Sequence, residues 1–161
     1  MITSLTISHR FAAAHRLPHL ARSQCANLHG HNWDVKVTIA GRVGESALLV
    51  DFDQVKNPLR EWVDTNLDHR TLLGADDELR PVLAAYRQPL FIFGPGGDWE
   101  RLRWPTVEAV TLLIAEQVAR LLAPTLDPVG AYVQQVTVEE TPGSSATWQA
   151  GLPGAGATRD G

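Results

Sequence analysis

The chain has 161 residues, 44% of them apolar and 20% charged, which is one domain's worth with enough apolar surface for a core. Eighteen acidic against fourteen basic residues leave a net charge of −4, and no lysine or arginine cluster offsets it, so a nucleic-acid partner is not expected. The single cysteine, Cys25, excludes an intrachain disulfide and any multi-cysteine zinc or iron–sulfur site.

No run reaches the roughly 20 apolar residues of a spanning helix. The opening residues MITSLTISHR lack the apolar core of a secretory signal, so the expectation is a cytoplasmic protein without membrane contact. Ile2, Leu5 and Ile7 alternate with polar residues and predict a strand over 2–11. A clearer strand follows the histidine-dense stretch, where Trp33, Val35, Val37 and Ile39 alternate with Asp34, Lys36 and Thr38. Gly41–Gly44 and the short apolar run Ala47–Phe52 predict that residues 33–52 form a hairpin.

From Val55, apolar residues at Leu59, Trp62, Val63 and Leu67 fall on one helical face. Pro58 leaves two alternatives there, an Asn57 cap with proline at the first helical position or a kinked earlier turn. A second helix starts after the Thr106 cap and carries Val107, Val110, Ile114, Val118 and Leu121, ending before Pro124. Tyr132–Val138 reads as a last strand. The segment 74–104 is too long for a plain loop and reads as an excursion beside the functional site. Residues 1–142 are expected to form the single domain, with 143–161 a flexible Gly-, Ala-, Ser- and Pro-rich tail.

Chemistry concentrates in the histidines. His29 and His31 lie two apart at the mouth of the best strand, so both project from one face. His15 follows the first strand, and three neutral imidazoles with an open fourth position are the ligand set of a catalytic zinc site. Cys25, in CANLHGH, is the alternative fourth ligand that would close the site into a structural zinc module; left outside, it is a candidate nucleophile or base. Asp68 beside His69 offers a carboxylate–imidazole pair for proton transfer, while Glu108 and Glu140 have plainer readings as a helix-dipole partner and a solvated strand residue.

Taken together, FAAAHRLPH, CANLHGHNW, DF with VK close behind, LDHR, PTVE and VEET resemble the 6-pyruvoyl-tetrahydropterin synthase and 6-carboxytetrahydropterin synthase family in order and approximate spacing. The resemblance covers about residues 1–73 and 105–141. The C-x3-HGH spacing is similar to that of the bacterial carboxy-forming branch, which feeds 7-deazapurine (queuosine-type) synthesis.

The resemblance implies an α+β T-fold (tunnelling fold), a four-stranded antiparallel sheet with two helices on one face, joined across subunits into an oligomeric barrel. It implies a homohexamer with sites between subunits. It further implies Zn2+ held by His15, His29 and His31, Cys25 as general base, and Asp68 with His69 as a second proton-transfer pair. Glu140 would anchor a pterin, with Thr106 and Glu108 lining the pocket. The implied substrate is 7,8-dihydroneopterin triphosphate, converted to 6-carboxytetrahydropterin, acetaldehyde and triphosphate, or, in the other branch, to the pyruvoyl product. The triphosphate's basic partners are open among Arg16, Arg22 and Lys36. The stretch between His69 and Pro105 is longer than in the short bacterial members, which makes 74–104 an insertion.

Overall fold

The computed structural model describes residues 1–151. In chain order the elements are β1 (Ile2–His15), β2 (His29–Arg42), α1 (Phe52–Asn66), β3 (Arg70–Gly74), α2 (Leu79–Ala85), β4 (Leu90–Phe93), α3 (Val107–Leu126), β5 (Tyr132–Thr141) and β6 (Ser144–Gln149). One sheet contains all six strands, in the order β4-β3-β1-β2-β5-β6.

β1 and β2 pair antiparallel along their whole length, from Ile2 opposite Arg42 to His15 opposite His29. Because side chains alternate across a strand, this register puts the odd-numbered residues of both on one face. Ile7, Phe11 and Ala13 on β1 and Trp33, Val35, Val37 and Ile39 on β2 are all buried there. α1 contributes Val55, Leu59 and Val63, and α3 contributes Val110, Leu113, Ile114, Val118 and Leu122, to the same core. Each such side chain, fully buried, contributes about 1.5–3 kcal/mol. The even-numbered face stays polar, with Thr6 bonded to Thr38 and Arg10 to Asp34. His15, His29 and His31 are odd-numbered too, so the alternation that builds the core also gathers three imidazoles at its end.

The antiparallel strands β1, β2, β5 and β6 with α1 and α3 match the expected four-stranded unit. The expectation of four strands alone is corrected by β3 and β4, which extend the sheet in parallel, Ala13–His15 against Arg70–Leu72 and Thr71–Gly74 against Leu90–Phe93. Leu72, Leu73, Phe91, Ile92 and Phe93 are buried, and such unbroken apolar runs are what parallel strands require. α2 makes the crossover between them. β3 meets only the tip of β1, leaving the rest of that edge open.

Other expectations are also corrected. Residues 47–52 add no strand to the predicted hairpin, because β1 and β5 already occupy both edges of β2; Leu49 and Val50 are instead buried as loop anchors. The Asn57 cap does not form: Asp51 caps α1, its carboxylate accepting the Asp53 amide at 3.0 Å, and Pro58 lies inside the helix after an earlier turn, as the second alternative has it. Thr106 does cap α3, its hydroxyl accepting the Ala109 amide at 3.2 Å, but the helix runs past Pro124 to Leu126. α3 is also, by length and composition, long and apolar enough to cross a bilayer, against the expectation that no segment is; its apolar face is buried against the sheet. Part of the expected tail is strand β6, paired with β5 from Gln135–Gln149 to Thr141–Ser144. Residues 152–161 of the tail lie outside the described residues.

Candidate active site

His15 sits at the end of β1 with no solvent exposure, directly across from His29, and His31 is the next inward residue of β2. The ligand nitrogens of all three lie within 4.8 Å of one another, and His15 Nε2 is 3.1 Å from His29 Nε2. The opposite ring nitrogens fix the tautomers. His15 Nδ1 is 2.8 Å from the Pro105 carbonyl and His29 Nδ1 is 2.7 Å from the Asn27 carbonyl. A carbonyl can only accept, so each Nδ1 carries the proton and donates it. Both Nε2 lone pairs are then aimed at one another across a gap that is repulsive unless a cation lies between them. Backbone carbonyls that orient ring ligands in this way are a recurring support of metal sites. Burial, opposed by Glu140 and reinforced by the other two histidines, lowers the His31 pKa and so favours the neutral form a metal needs. The residues therefore fit a divalent cation that takes imidazole ligands.

Glu140, near the end of β5, points at the same place, its Oε1 3.0 Å from His15 Nε2 and 3.9 Å from His31 Nε2. Cys25 lies half-buried in a short 3-10 turn, Gln24–Ala26, where the Ser23 hydroxyl accepts its amide at 3.1 Å. It shares an open cleft of about 630 Å³ with His29, His31, Glu140 and Thr141. The cysteine is in the cleft but outside the histidine cluster, which among the described residues comprises only the three imidazoles.

Asp68 and His69 follow α1. Asp68 Oδ1 accepts the Ala12 amide at 2.8 Å, and Oδ2 is 2.7 Å from His69 Nδ1. His69 is held at φ 56°, a left-handed conformation costly for a non-glycine residue, and presents an exposed ring. It lines a second cleft of about 450 Å³ that also reaches His31, Asn32 and Gln88, so His31 stands between the two clefts. The structure thus brings together His15, His29, His31, Cys25 and Glu140, with Asp68 and His69 adjacent. Thr106 borders the site as the α3 cap, one residue after the carbonyl that orients His15. Glu108 is not brought there: it is exposed and lines a separate groove with Trp148 and Thr147. Of the three candidate triphosphate partners, Arg16 is tied to Asp77 at 3.0 Å and Lys36 lies on the polar face.

Sequence reasoning missed Pro105 and Asn27, which act through their carbonyls and carry no side-chain signal. It also missed Gln88, brought to the second cleft by a parallel strand that the pattern left inside an unassigned excursion.

A family model for 6-pyruvoyl tetrahydropterin synthase matches residues 4–150. The chain is 30% identical over 139 residues to the 6-carboxy-5,6,7,8-tetrahydropterin synthase of Bacillus subtilis, a match covering 86% of this chain and 79% of that one. It is 36% identical over 70 residues to the enzyme of the same name from Rickettsia typhi, where it spans 49% of the relative and 42% of this chain. Among solved structures, 6-pyruvoyl tetrahydropterin synthase from Plasmodium vivax superposes with a TM-score of 0.70 at 20% identity, covering 94% of this chain and 99% of that one. The Caenorhabditis elegans synthase gives 0.64 at 22%, covering 94% and 97%. These structural likenesses carry the fold. With nearly the whole described chain under one family model and the histidine cluster folded as its motifs imply, this protein belongs to the 6-pyruvoyl tetrahydropterin synthase family.

Proposed function

We propose that the protein is a zinc-dependent lyase, a 6-carboxy-5,6,7,8-tetrahydropterin synthase acting on 7,8-dihydroneopterin triphosphate and water. The products would be 6-carboxytetrahydropterin, acetaldehyde and triphosphate, for 7-deazapurine (queuosine-type) synthesis. The observation that carries this reading is the pair of opposed imidazole lone pairs, with Cys25 facing the same cleft from outside the cluster. A thiol outside the ligand set is free for proton transfer, whereas the closed structural module needs it bound.

Held by His15, His29 and His31, zinc supplies Lewis-acid polarisation of the substrate's side-chain oxygens and acidifies the adjacent carbon-bound protons. Cys25 removes one such proton at Sγ. His69 exchanges another at Nε2, because its Nδ1 is engaged by Asp68, which fixes the tautomer and the orientation of the ring. Glu140 accepts paired hydrogen bonds from the amino-pyrimidine edge of the pterin, as carboxylates do from a guanidinium fork. Thr106 borders this pocket. Glu108, beside the free edge of β6, contributes only across a subunit boundary. The open edges of β1 and β6 give such a boundary a physical motive, since unpaired strand edges seek partners, and a homohexameric barrel would put the sites between subunits.

The test is to give zinc-loaded protein dihydroneopterin triphosphate and identify the products by mass spectrometry, with a parallel acetaldehyde assay. Carboxytetrahydropterin with acetaldehyde supports the proposal. A pyruvoyl product keeps the site and moves the chain to the other branch, and no turnover by well-metallated protein refutes the substrate.

A further inference from the structure

The segment between β3 and α3 contains a buried charge that the reaction does not use. The Asp77 carboxylate has no solvent exposure. Its Oδ2 is 3.0 Å from Arg16 Nε and its Oδ1 accepts the Leu79 amide at 2.9 Å. Burying a carboxylate costs several kcal/mol unless it is well paired, so the partner's location matters, and Arg16 directly follows the metal-facing His15. At the other end of the segment, the Trp104 indole stacks on the His19 ring at 5.0 Å and 25°. Trp104 also lies so close over Gly74 that a Cβ there would meet its ring at 2.5 Å, which ties the two ends of the segment to each other.

Between Arg16 and His19, the Leu17 amide donates to the Cys25 carbonyl at 2.7 Å. This bond closes residues 17–25 into a loop, and no residue between Leu17 and Cys25 is buried. Such a loop has no core of its own and opens easily unless something outside holds it. Here the contacts come from Asp77 and Trp104, which grip the residues on either side of the amide that holds Cys25.

We infer that the 74–104 segment is a brace for the Cys25 loop, and that Asp77 is a positioning residue which, through Arg16, sets where the Cys25 thiol stands relative to the three histidines. The chemistry is carried by Cys25; Asp77 touches neither substrate nor metal. The inference rests on the proposed role of Cys25, but its test is thiol reactivity, which needs no turnover. It can therefore fail while product analysis upholds the function, and the reverse.

Asp77→Asn cancels the charge while keeping an acceptor for Leu79. Cys25 is the only cysteine, so the alkylation rate of zinc-loaded full-length protein by iodoacetamide reports on it alone. The expected result is an alkylation at least threefold faster, with zinc affinity changed less than threefold. A smaller rate change in folded Asp77→Asn overturns the inference. So does a parallel loss of zinc, which would put the disturbance at His15. If Asp77→Asn does not fold, His19→Ala decides by the same threefold criterion, since it removes an exposed ring that stacks on Trp104. Val118→Ala loosens the α3 core far from the brace and must leave the rate within threefold; equal acceleration there would make the effect general softening and refute the assignment.

Discussion

Asp68 joins three parts of the site, and replacing it has consequences that can be worked through. Its Oδ1 accepts the Ala12 amide at 2.8 Å, joining the end of α1 to β1, and its Oδ2 holds His69 at 2.7 Å. Asp68→Ala leaves the part-buried Ala12 N–H without its acceptor and releases a histidine kept at φ 56°. A hydrogen bond to a charged group contributes about 1.5–3 kcal/mol. The Asp68 side chain is 28% exposed, which favours the low end, about 1.5–2 kcal/mol after allowing for solvent. At about 2–4 °C per kcal/mol for a chain of this size, Tm should fall by about 3–8 °C. Asp68→Asn keeps an acceptor for Ala12 and should recover about half of that loss.

The pH dependence has a definite sign. Burial acts to raise the Asp68 pKa, but hydrogen bonds from the Ala12 amide and from His69 outweigh it, and the net shift is downward from 3.8. A carboxyl depressed on folding stabilises above its unfolded pKa and loses that contribution as pH falls through its folded value. The gap between wild type and Asp68→Ala should therefore persist down to the unfolded value and shrink below it. Thermal melts of both proteins across the neutral to acid range measure this. A Tm for Asp68→Ala within about 1 °C of wild type at neutral pH, or a gap that widens in acid below the unfolded value, would refute the reasoning.

Gly41→Ala should destabilise by about 1–3 kcal/mol through overpacking, because its Cβ would sit 2.6 Å from Leu49 Cδ1 and 3.0 Å from Ala131 Cβ; an unchanged urea midpoint would contradict the packing described. Free zinc at about 100 times its dissociation constant should add about 2.7 kcal/mol, a Tm rise of about 5–10 °C. A chelator should reverse that rise and His29→Ala should abolish it, whereas a rise that survives in His29→Ala would place the metal elsewhere. Cys25→Ala should lower turnover by about 10²–10⁴-fold, the usual contribution of a positioned acid or base, and near-normal turnover would remove the thiol from the mechanism.

The long periodic elements and the histidine cluster were legible because both follow from one rule, alternation along β1 and β2. The register that buries Phe11, Trp33 and Val35 also sets His15 across from His29, and the motif residues of the family lie on that framework. What the pattern concealed depends on long-range pairing. Ala47–Phe52 has the composition of a strand, but whether β2 has a free edge is decided by β5, nearly a hundred residues on. The runs TLLG and LFIF do not alternate because parallel strands are buried on both faces, so nothing in their local pattern separates them from loop or helix. Glu108 matched a motif position, yet its place on the first turn of α3 turns it toward β6. The brace was hidden for a similar reason, since Asp77 and Arg16 are isolated charges in sequence and only the fold makes them a buried pair.

The proposed site is an open metal centre of three histidines with the cysteine outside it. Cobalt(II) substitution tests this most directly, because a cobalt–thiolate bond adds a near-ultraviolet charge-transfer band that imidazole ligands do not give. One cobalt per chain is expected in wild type without that band, with an unchanged spectrum and stoichiometry in Cys25→Ala. A thiolate band in wild type that disappears in Cys25→Ala together with the metal would contradict an open centre and make the site a closed structural one.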